Sequence, residues 1–292
     1  MIVNRLSYVN SENKEINLLD GNIRALKTSD IFSHEWDKKD TSSTVITSFE
    51  MQDIHKTLDL AILAKSKDEV NKIMEEFYRA YEKDVLDSKE GRLYFNDYYL
   101  LCNINKEIFS SWDAYRKLQK VQLGILSRKG RWYKEVVKNF GVDGTAKEGK
   151  DFPYDFPYDY ADESSQTIFR TDSISDFDFK LEIYGIAADP SIIIGGHIYR
   201  VFAVVNVGEV LIIDSREKTV KKRKKDGSFE NLFYLRDKDN YIFQKIKCKD
   251  GRTTVLFEDN MYPLVFRLTA YVERSRPLWT WYIRIHKRKI SV

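Results

Sequence analysis

Residues 81–104, YEKDVLDSKEGRLYFNDYYLLCNI, contain the end of a helix, a break marked by Gly91 and then a hairpin. The pair Asn96-Asp97 favours a tight turn. On both sides of that pair apolar residues alternate with polar ones, at Leu93 and Phe95 before it and at Leu100, Cys102 and Ile104 after it. Such alternation is typical of strands with one buried face, so the stretch predicts two antiparallel strands.

A helix leads into this hairpin. Ser66, followed three residues later by Glu69, is the capping-box pattern that marks a helix N-terminus. Five apolar residues then recur at helical spacing, at Val70, Ile73, Met74, Phe77 and Tyr81. A single amphipathic helix followed by a hairpin is typical of an interaction scaffold rather than of an active site.

Three further runs of alternating apolar residues predict strands around the helix. Two runs precede it, at Val45, Thr47 and Phe49 and at Leu58, Leu60 and Ile62, and one follows the hairpin, at Val121, Leu123 and Ile125. The sequence therefore predicts a mainly β protein whose N-terminal domain, residues 1–140, is α+β. In that domain a β-sandwich carries one packed helix and a β-hairpin.

Residues 141–160 predict a linker followed by an aromatic strap. Residues 141–151, GVDGTAKEGKD, are rich in glycine and charge and lack apolar periodicity, which is typical of an exposed linker. Residues 151–158 repeat Asp-Phe-Pro-Tyr twice, and each proline favours an extended backbone before it. We expect the aromatic residues, Tyr158 among them, to pin this strap onto both domains rather than to bind a ligand.

The C-terminal domain, residues 161–292, is predicted to be an all-β sandwich or barrel. Short strand-like runs separated by Gly, Asp and Asn favour that class. The predicted strands are residues 177–184, 192–194, 199–205, 210–213, 231–235, 241–246, 253–257 and 264–272. Trp279 and Trp281 alternate with polar residues and predict one more strand, which either completes a sheet or projects toward a partner, the first being favoured.

Composition excludes several classes of function. The chain has 292 residues with 42% hydrophobic and 32% charged residues, enough for two folded domains. A net charge of only +3 argues against a nucleic-acid partner. No apolar run approaches the length that spans a bilayer, so no membrane insertion is expected, and the N-terminus lacks a signal-peptide pattern. The two cysteines, Cys102 and Cys248, form no disulfide or zinc pattern, so we expect folding in a reducing cytoplasm.

Residue types that carry chemistry do not converge on a catalytic motif. His34, His55, His197 and His286 are scattered and show no metal-ligand spacing, so no metal and no cofactor are expected. The acidic residues near the C-terminal domain entrance, Asp155, Asp159, Asp172, Asp176 and Asp178, are more simply turn residues than the paired carboxylates of a glycosidase. No catalytic residue and no enzymatic activity are predicted.

Two other features have structural explanations. Gly195-Gly196 predicts a hairpin turn rather than a phosphate-binding loop, because no P-loop or dinucleotide motif surrounds it. The basic run Lys221-Lys222-Arg223-Lys224-Lys225 precedes the turn signal Asp226-Gly227, which predicts a solvated strand end that resists edge-to-edge pairing. Contact with an acidic partner or with teichoic-acid phosphates is the alternative.

An ordered set of motifs resembles the distal tail (Dit) protein family of long-tailed phages that infect Gram-positive bacteria. The matching segments are residues 81–104, Gly-Arg-Trp-Tyr-Lys-Glu at 130–135, Asp-Phe-Pro-Tyr-Asp-Tyr at 155–160, Asp-Pro-Ser-Ile-Ile-Ile at 189–194, Gly-Glu-Val-Leu-Ile-Ile-Asp-Ser at 208–215, Lys-Thr-Val at 218–220 and Tyr-Val-Glu-Arg-Ser-Arg-Pro-Leu-Trp at 271–279. They span nearly the whole chain in the family's order.

The resemblance implies a structural component of the virion at the distal end of the tail, assembled in the host cytoplasm. In that family six copies form a hub ring through their N-terminal domains, and the C-terminal domain is a galectin-like sandwich. The ring joins the tail tube protein to the tail-associated tip protein, and receptor-binding or other baseplate proteins attach outside. Structural or interface roles are expected for six aromatic residues, namely Phe77, Tyr98, Trp132, Tyr158, Trp279 and Trp281.

The alternative is a carbohydrate-binding module that contacts the host cell wall. Galectin-like sandwiches bind sugars with an aromatic residue stacked on the sugar face. Residues 160–270 contain no Trp, which argues against this alternative. A cell-wall hydrolase is the third possibility, and it lacks a recognisable site.

Overall fold

The computed structural model describes residues 3–28, 30–42, 45–50, 53–110, 112–141, 166–257 and 264–277. Over these residues the chain is mainly β with one α-helix, which confirms the predicted fold class. The chain forms two compact units, unit one being Met1–Tyr133 with Arg274–Val292 and unit two being Lys134–Glu273. The predicted aromatic strap and nearly all of the predicted linker lie outside the described residues, so the predicted domain boundaries stay predictions.

Unit one contains nine strands and the α-helix within the described residues. They are β1 Leu6–Val9, β2 Glu15–Asn17, β3 Ile23–Lys27, β4 Asp37–Ser42, β5 Val45–Glu50, β6 Ile54–Leu63, α1 Lys67–Leu86, β7 Gly91–Phe95, β8 Tyr98–Phe109 and β9 Leu118–Ser127. A short 3-10 helix, Asp30–Phe32, follows β3. Six described strands precede the helix instead of the predicted two, because β1 and β3 are short and β4, with the sequence DKKDTS, carries no apolar residue to reveal it.

Strand β8 belongs to both sheets of unit one. Its residues 98–102 pair with β7, and its residues 103–109 pair with β9. Strands β1 and β2 continue the first sheet beyond β7, whereas β6 and β3 continue the second sheet beyond β9. All these pairings are antiparallel. The predicted hairpin is confirmed, with Phe95 opposite Tyr98 and with Asn96 in the left-handed region at φ 51°.

Helix α1 begins where the capping pattern predicts. The Ser66 side chain accepts a hydrogen bond from the Glu69 amide at 3.3 Å. The Glu69 carboxylate accepts from the amide of Lys65, one residue before the cap, at 2.6 Å. The predicted apolar face is confirmed, since Val70, Met74, Phe77 and Tyr81 are buried and Ile73 is half-buried against the core of unit one.

Two tyrosine–carboxylate hydrogen bonds fix the C-terminal half of α1 to the sheets. Tyr8 on β1 donates its hydroxyl to the fully buried Asp84 at 2.6 Å, and the Ser11 amide donates to the other Asp84 oxygen at 2.9 Å. In the opposite direction, Tyr81 on the helix donates to Glu107 on β8. Burial first, and then the bond to the carboxylate, raises the pKa of both tyrosines, so both hydroxyls remain donors.

Unit two contains twelve strands within the described residues, counting the part of β10 that lies in it. They are β10 Trp132–Phe140, β11 Gln166–Arg170, β12 Asp178–Tyr184, β13 Ala187–Ala188, β14 Ser191–Ile194, β15 His197–Arg200, β16 Val204–Val205, β17 Val210–Asp214, β18 Thr219–Arg223, β19 Phe229–Asn231, β20 Arg252–Phe257 and β21 Val265–Arg274. The division between the units falls inside β10, a strand that the alternation rule did not predict.

Two antiparallel sheets enclose the core of unit two. One follows the order β19-β18-β17-β12-β21, and the other follows β11-β20-β14-β15. The core contains inward residues from both, such as Phe179 and Leu181 on β12 and Ile192 and Ile194 on β14. The Gly195-Gly196 turn is confirmed, because it joins β14 to β15 with φ values of 59° and 81° that glycine adopts without strain.

Two predicted strands of unit two are wrong. Residues 231–235 leave β19 at Asn231 and continue as a 3-10 helix, Phe233–Leu235. Residues 241–246 form only one isolated bridge, between Ile246 and Phe177. Side chains, and not a neighbouring strand, supply hydrogen bonds to the backbone of this segment. For example, the Tyr199 hydroxyl donates to the Gln244 carbonyl at 2.8 Å.

Truncating Phe77 tests the packing of α1. This side chain is 1% exposed and contacts the rings of Tyr8 and Tyr81. Phe77→Ala should lower the free energy of unfolding of unit one by about 3 to 5 kcal/mol, because it removes a large buried side chain. Chemical denaturation followed by circular dichroism measures this loss. The matched control is Lys72→Ala on the exposed face of the same helix, which should be nearly neutral. Equal effects of the two changes would contradict the helix register.

Candidate interaction surfaces

Three of the six aromatic residues singled out from the sequence are core residues of unit one. Phe77, Tyr98 and Trp132 are buried. The Trp132 ring lies 5.8 Å from Phe32 and 6.5 Å from Phe95, between centroids, and packs in the same core as α1. These three residues therefore hold the unit together and are not available to a partner. Tyr158, Trp279 and Trp281 lie outside the described residues.

A first exposed surface, here called the hairpin surface, consists of Trp36 and Phe49 beside the hairpin β4–β5. The two strands pair with each other in a separate two-stranded sheet. Phe49 is 57% exposed, and the Trp36 ring is 41% exposed with the Arg131 guanidinium 5.5 Å from its centre. An exposed aromatic ring beside a cation is typical of a protein-binding surface.

A second exposed surface, here called the tip surface, lies where β8 and β9 meet their connecting loop. Ile108 and Phe109 at the end of β8 are about half exposed, and Tyr115 in the loop is 96% exposed. The loop is ordered by the Asp113 carboxylate, which accepts hydrogen bonds from the amides of Tyr115 and Arg116 at 3.1 and 2.9 Å. These two bonds fix the backbone that carries Tyr115, which lowers the entropy that this part of the chain loses on binding.

Unit two carries an exposed aromatic surface of its own, formed by Phe233, Tyr234 and Tyr241. The Phe233 ring stacks on Phe243 at 6.0 Å, and the Arg236 guanidinium lies 3.9 Å from the centre of the Phe233 ring. Tyr234 is 65% exposed. The sequence does not reveal this surface, because both segments have the composition of strands, whose alternation would bury every second ring.

The basic run at 221–225 is only partly the solvated strand end that the sequence predicted. It does end β18 and lead into the turn at Gly227. However, Lys222 is only 14% exposed and lies 3.5 Å from Glu230 and 3.8 Å from Glu209, while Lys224 lies 3.4 Å from Glu230. Strand β19 covers this edge and supplies Glu230, so cross-strand charge pairing accounts for part of the run.

The acidic and histidine side chains considered above have separate structural roles in unit two. Asp178 accepts from the Ser215 hydroxyl and pairs with Lys245 at 3.1 Å. Asp176 accepts from the Cys248 amide. A His197 ring nitrogen lies 3.0 Å from the Tyr241 carbonyl. His34 and His55 are exposed, whereas His286, Asp155 and Asp159 lie outside the described residues.

Among the described residues, no group of three or more His, Cys, Asp or Glu side chains is arranged to hold a metal ion. In the same part of the chain, no helix combines the length and the apolar character needed to cross a bilayer.

The fold is shared with solved phage proteins. A chain of the phage p2 baseplate in its activated conformation with calcium superposes with a TM-score of 0.61 and 13% sequence identity, over 95% of this chain and 100% of that one. The same baseplate with strontium gives the same score over 94% and 99%. The SPP1 Dit protein, described as a paradigm of the hub adsorption apparatus in phages that infect Gram-positive bacteria, gives 0.54 at 9% identity over 91% and 98%.

The chain has the fold of SPP1 Dit. The fold that the sequence motifs imply is thereby confirmed over almost the full length of both chains. No protein-family model matches the sequence, and no curated protein matches it either. At 9 to 13% identity the shared property is the arrangement of the backbone, which is set by core packing rather than by surface residues.

The two thiols differ in their surroundings. Cys102 is fully buried on β8, and burial raises the pKa of its thiol to about 12. Cys248 in unit two is half-buried, with only long contacts to Thr171 and Ser173 at 3.8 and 3.9 Å. Because the thiolate is the reactive form, Cys102 stays protonated and unreactive at neutral and mildly alkaline pH.

We predict that one thiol per chain reacts in the native protein. Ellman's reagent at pH 8 should modify Cys248 and spare Cys102 until denaturant is added. The matched variant Cys248→Ser should abolish the native reaction and leave the reaction in denaturant at one thiol per chain. A fast native reaction that survives Cys248→Ser would show that Cys102 is accessible and that the β8 register is wrong.

Proposed function

We propose that this protein is a non-enzymatic structural subunit of a phage tail tip, a Dit-type hub located in the virion at the distal end of the tail. The observation that supports this proposal is the likeness to SPP1 Dit and to a chain of the p2 baseplate over more than nine-tenths of this chain. Fold alone does not fix function. The motifs in family order from residue 81 to residue 279 add an independent sequence argument.

The subunit is proposed to assemble as a ring of six copies through unit one. A cyclic ring needs two different, complementary patches on every subunit. Unit one offers two separate exposed patches of aromatic and aliphatic residues, the hairpin surface with Trp36 and Phe49 and the tip surface with Phe109 and Tyr115. Aromatic residues of this kind commonly dominate the binding energy of protein interfaces.

The ring is proposed to join the tail tube protein to the tail-associated tip protein, after assembly in the host cytoplasm. Unit two, which we propose is galectin-like, is left on the outside of the ring in this arrangement. Its aromatic surface, with Phe233, Tyr234 and Tyr241, is the proposed attachment point for receptor-binding or other baseplate proteins. The Arg236 guanidinium over Phe233 adds a charged group that fixes the orientation of a partner.

A charge placed on the tip surface tests the ring. The purified protein should form hexamers, or associate toward them with rising concentration, in light scattering and negative-stain images. Phe109→Glu with Tyr115→Glu should give folded monomers, because a carboxylate replaces an aromatic anchor in the centre of the interface. Truncating such an anchor typically costs about 2 kcal/mol or more, a factor of roughly 30 in affinity.

The matched control is Tyr234→Glu on unit two, a residue whose exposure of 65% lies between those of Phe109 and Tyr115, and it should leave the hexamer intact. A protein that stays monomeric or dimeric at every concentration, even with the tail-tip partner added, contradicts the ring. Loss of the ring in Tyr234→Glu but not in the tip variant would instead move the interface to unit two.

The domain organisation is proposed as residues 1–140 and 161–292 with the linker and strap between them. Exposed glycine-rich segments are preferred protease sites. Limited proteolysis should therefore cut first within residues 141–151 and give two stable fragments, each about half of the chain, which mass spectrometry identifies. First cleavage inside helix α1, Lys67–Leu86, would rule out this division.

A further inference from the structure

Unit two contains an open cleft with a volume of about 860 Å³, within the range of ligand sites in proteins. It lies beside the turn that joins β14 to β15 and beside the start of β20. Of the residues considered in the sequence for chemistry, Asp176, Cys248 and the Gly195 turn line it. The cleft has no role in the proposed ring, so any function that it has is separate from assembly.

Three cations and two carboxylates, Asp176 and Asp250, line the cleft. Lys247, Lys249 and Arg252 line it and are exposed, and no carboxylate of the described residues forms an ion pair with any of them. Lys249 and Arg252 lie directly opposite each other across a two-residue turn, with reciprocal backbone hydrogen bonds of 3.0 and 2.9 Å. Like charges held directly opposite in a strand pair repel each other, and a bound anion would relieve that repulsion.

A buried hydroxyl without a partner lines the same cleft. Thr253 is only 4% exposed, and its Oγ1 has no hydrogen-bond partner among the residues that the structure describes. Buried polar groups are nearly always paired, so an unpaired hydroxyl at the wall of a cleft points to a ligand that completes it. A β-carbon on Gly195 would lie 3.0 Å from Thr253 Oγ1 and from the Lys247 carbonyl, so the glycine keeps this wall open.

Asp176 supplies a hydrogen-bond acceptor in the same cleft. Asp176 lines the cleft and uses one carboxylate oxygen to accept from the Cys248 amide at 3.1 Å. Its second oxygen has no hydrogen-bond partner among the described residues. The cleft therefore combines cations for an anionic group with a hydroxyl and a carboxylate oxygen, which are the groups that recognise alcohol hydroxyls.

We propose that this cleft binds a phosphorylated polyol. The phosphate lies between Lys249 and Arg252, with Lys247 beside it, because guanidinium and ammonium groups are the usual partners of phosphate. A neighbouring alcohol hydroxyl of the ligand bonds to Thr253 Oγ1 and donates to Asp176. Nucleic acid is disfavoured, because the described lining contains no aromatic ring on which a base would stack.

Binding of sn-glycerol 3-phosphate to the full-length protein tests the proposal. Equilibrium dialysis should show one saturable site per chain. Arg252→Gln and Lys249→Gln should each weaken binding about fivefold or more, and Thr253→Val, which keeps the side-chain shape, should weaken it severalfold without loss of folding. As a second readout, the ligand should slow the modification of Cys248, which lines the same cleft.

The controls distinguish binding in this cleft from nonspecific binding to basic residues elsewhere on the surface. Lys225→Gln, in the basic run away from the cleft lining, should leave the affinity unchanged. The proposal is overturned by absence of saturable binding, by equal loss in Lys225→Gln, or by inorganic phosphate binding as tightly as glycerol 3-phosphate. Failure of the ring would not affect this outcome, because the cleft lies within unit two of a single chain.

A vesicle-binding experiment distinguishes a glycerol phosphate group on a lipid from the same group on a soluble molecule. Vesicles of phosphatidylcholine with 20% phosphatidylglycerol, as a chosen composition, present glycerol phosphate on a lipid surface. Co-sedimentation that Arg252→Gln abolishes would assign the ligand to a lipid headgroup. Binding of the soluble ligand without co-sedimentation would assign it to a free or polymeric polyol phosphate.

Discussion

The hydrogen bond from the Tyr8 hydroxyl to the buried carboxylate of Asp84 is the constraint on which unit one depends. It joins the first strand to the last turns of α1 across 76 residues of sequence. A carboxylate without exposed surface is tolerated only when its oxygens are bonded, and here the Tyr8 hydroxyl and the Ser11 amide supply those bonds. Hydrogen bonds to charged groups contribute about 1.5 to 3 kcal/mol, a sizeable part of a domain's stability.

This bond also explains Gly91, the residue that begins β7. A β-carbon there would lie 2.2 Å from the Tyr8 hydroxyl oxygen and 2.7 Å from an Asp84 oxygen. Any side chain would therefore separate the two partners. Since β7 pairs with β1 on one side and with β8 on the other, the glycine lets the helix end, the first strand and the hairpin meet at one point. The position of β8, and with it the tip surface, follows from that meeting.

Local signals made the helix and the hairpin predictable. The cap at Ser66, the apolar spacing from Val70 to Tyr81 and the turn at Asn96 all act within a few residues. The partner of Asp84 could not be found this way, because a single acidic residue in an amphipathic helix is normally solvated and Tyr8 lies far away in sequence. Only the folded sheet shows that this position of the helix faces inward.

The errors in unit two have the same physical origin. Residues 241–246 have a strand-like composition, but side chains such as Tyr199 bond to their backbone, and no neighbouring strand is required. The exposed surfaces and the cleft could not be predicted from the sequence for a related reason. Exposure of Tyr234 depends on the 3-10 helix that replaces a predicted strand, and the cleft gathers Gly195, Asp176 and Thr253 from three separate segments.

Core residues and surface residues of this chain are under different constraints. Low identity to SPP1 Dit is compatible with a shared fold, because cores accept extensive substitution when volume and patterning are kept. Surface residues are not constrained in that way. The residues that select binding partners are therefore expected on the surface of this chain and not in its core. On unit one these are exposed aromatic residues, which suit permanent contact between protein subunits. On unit two the cleft is lined by three cations and two carboxylates, which suits a small ligand that carries both an anionic group and hydroxyls. In the proposed assembly, unit one contacts the neighbouring copies, and unit two remains available to other baseplate proteins and to a small charged ligand.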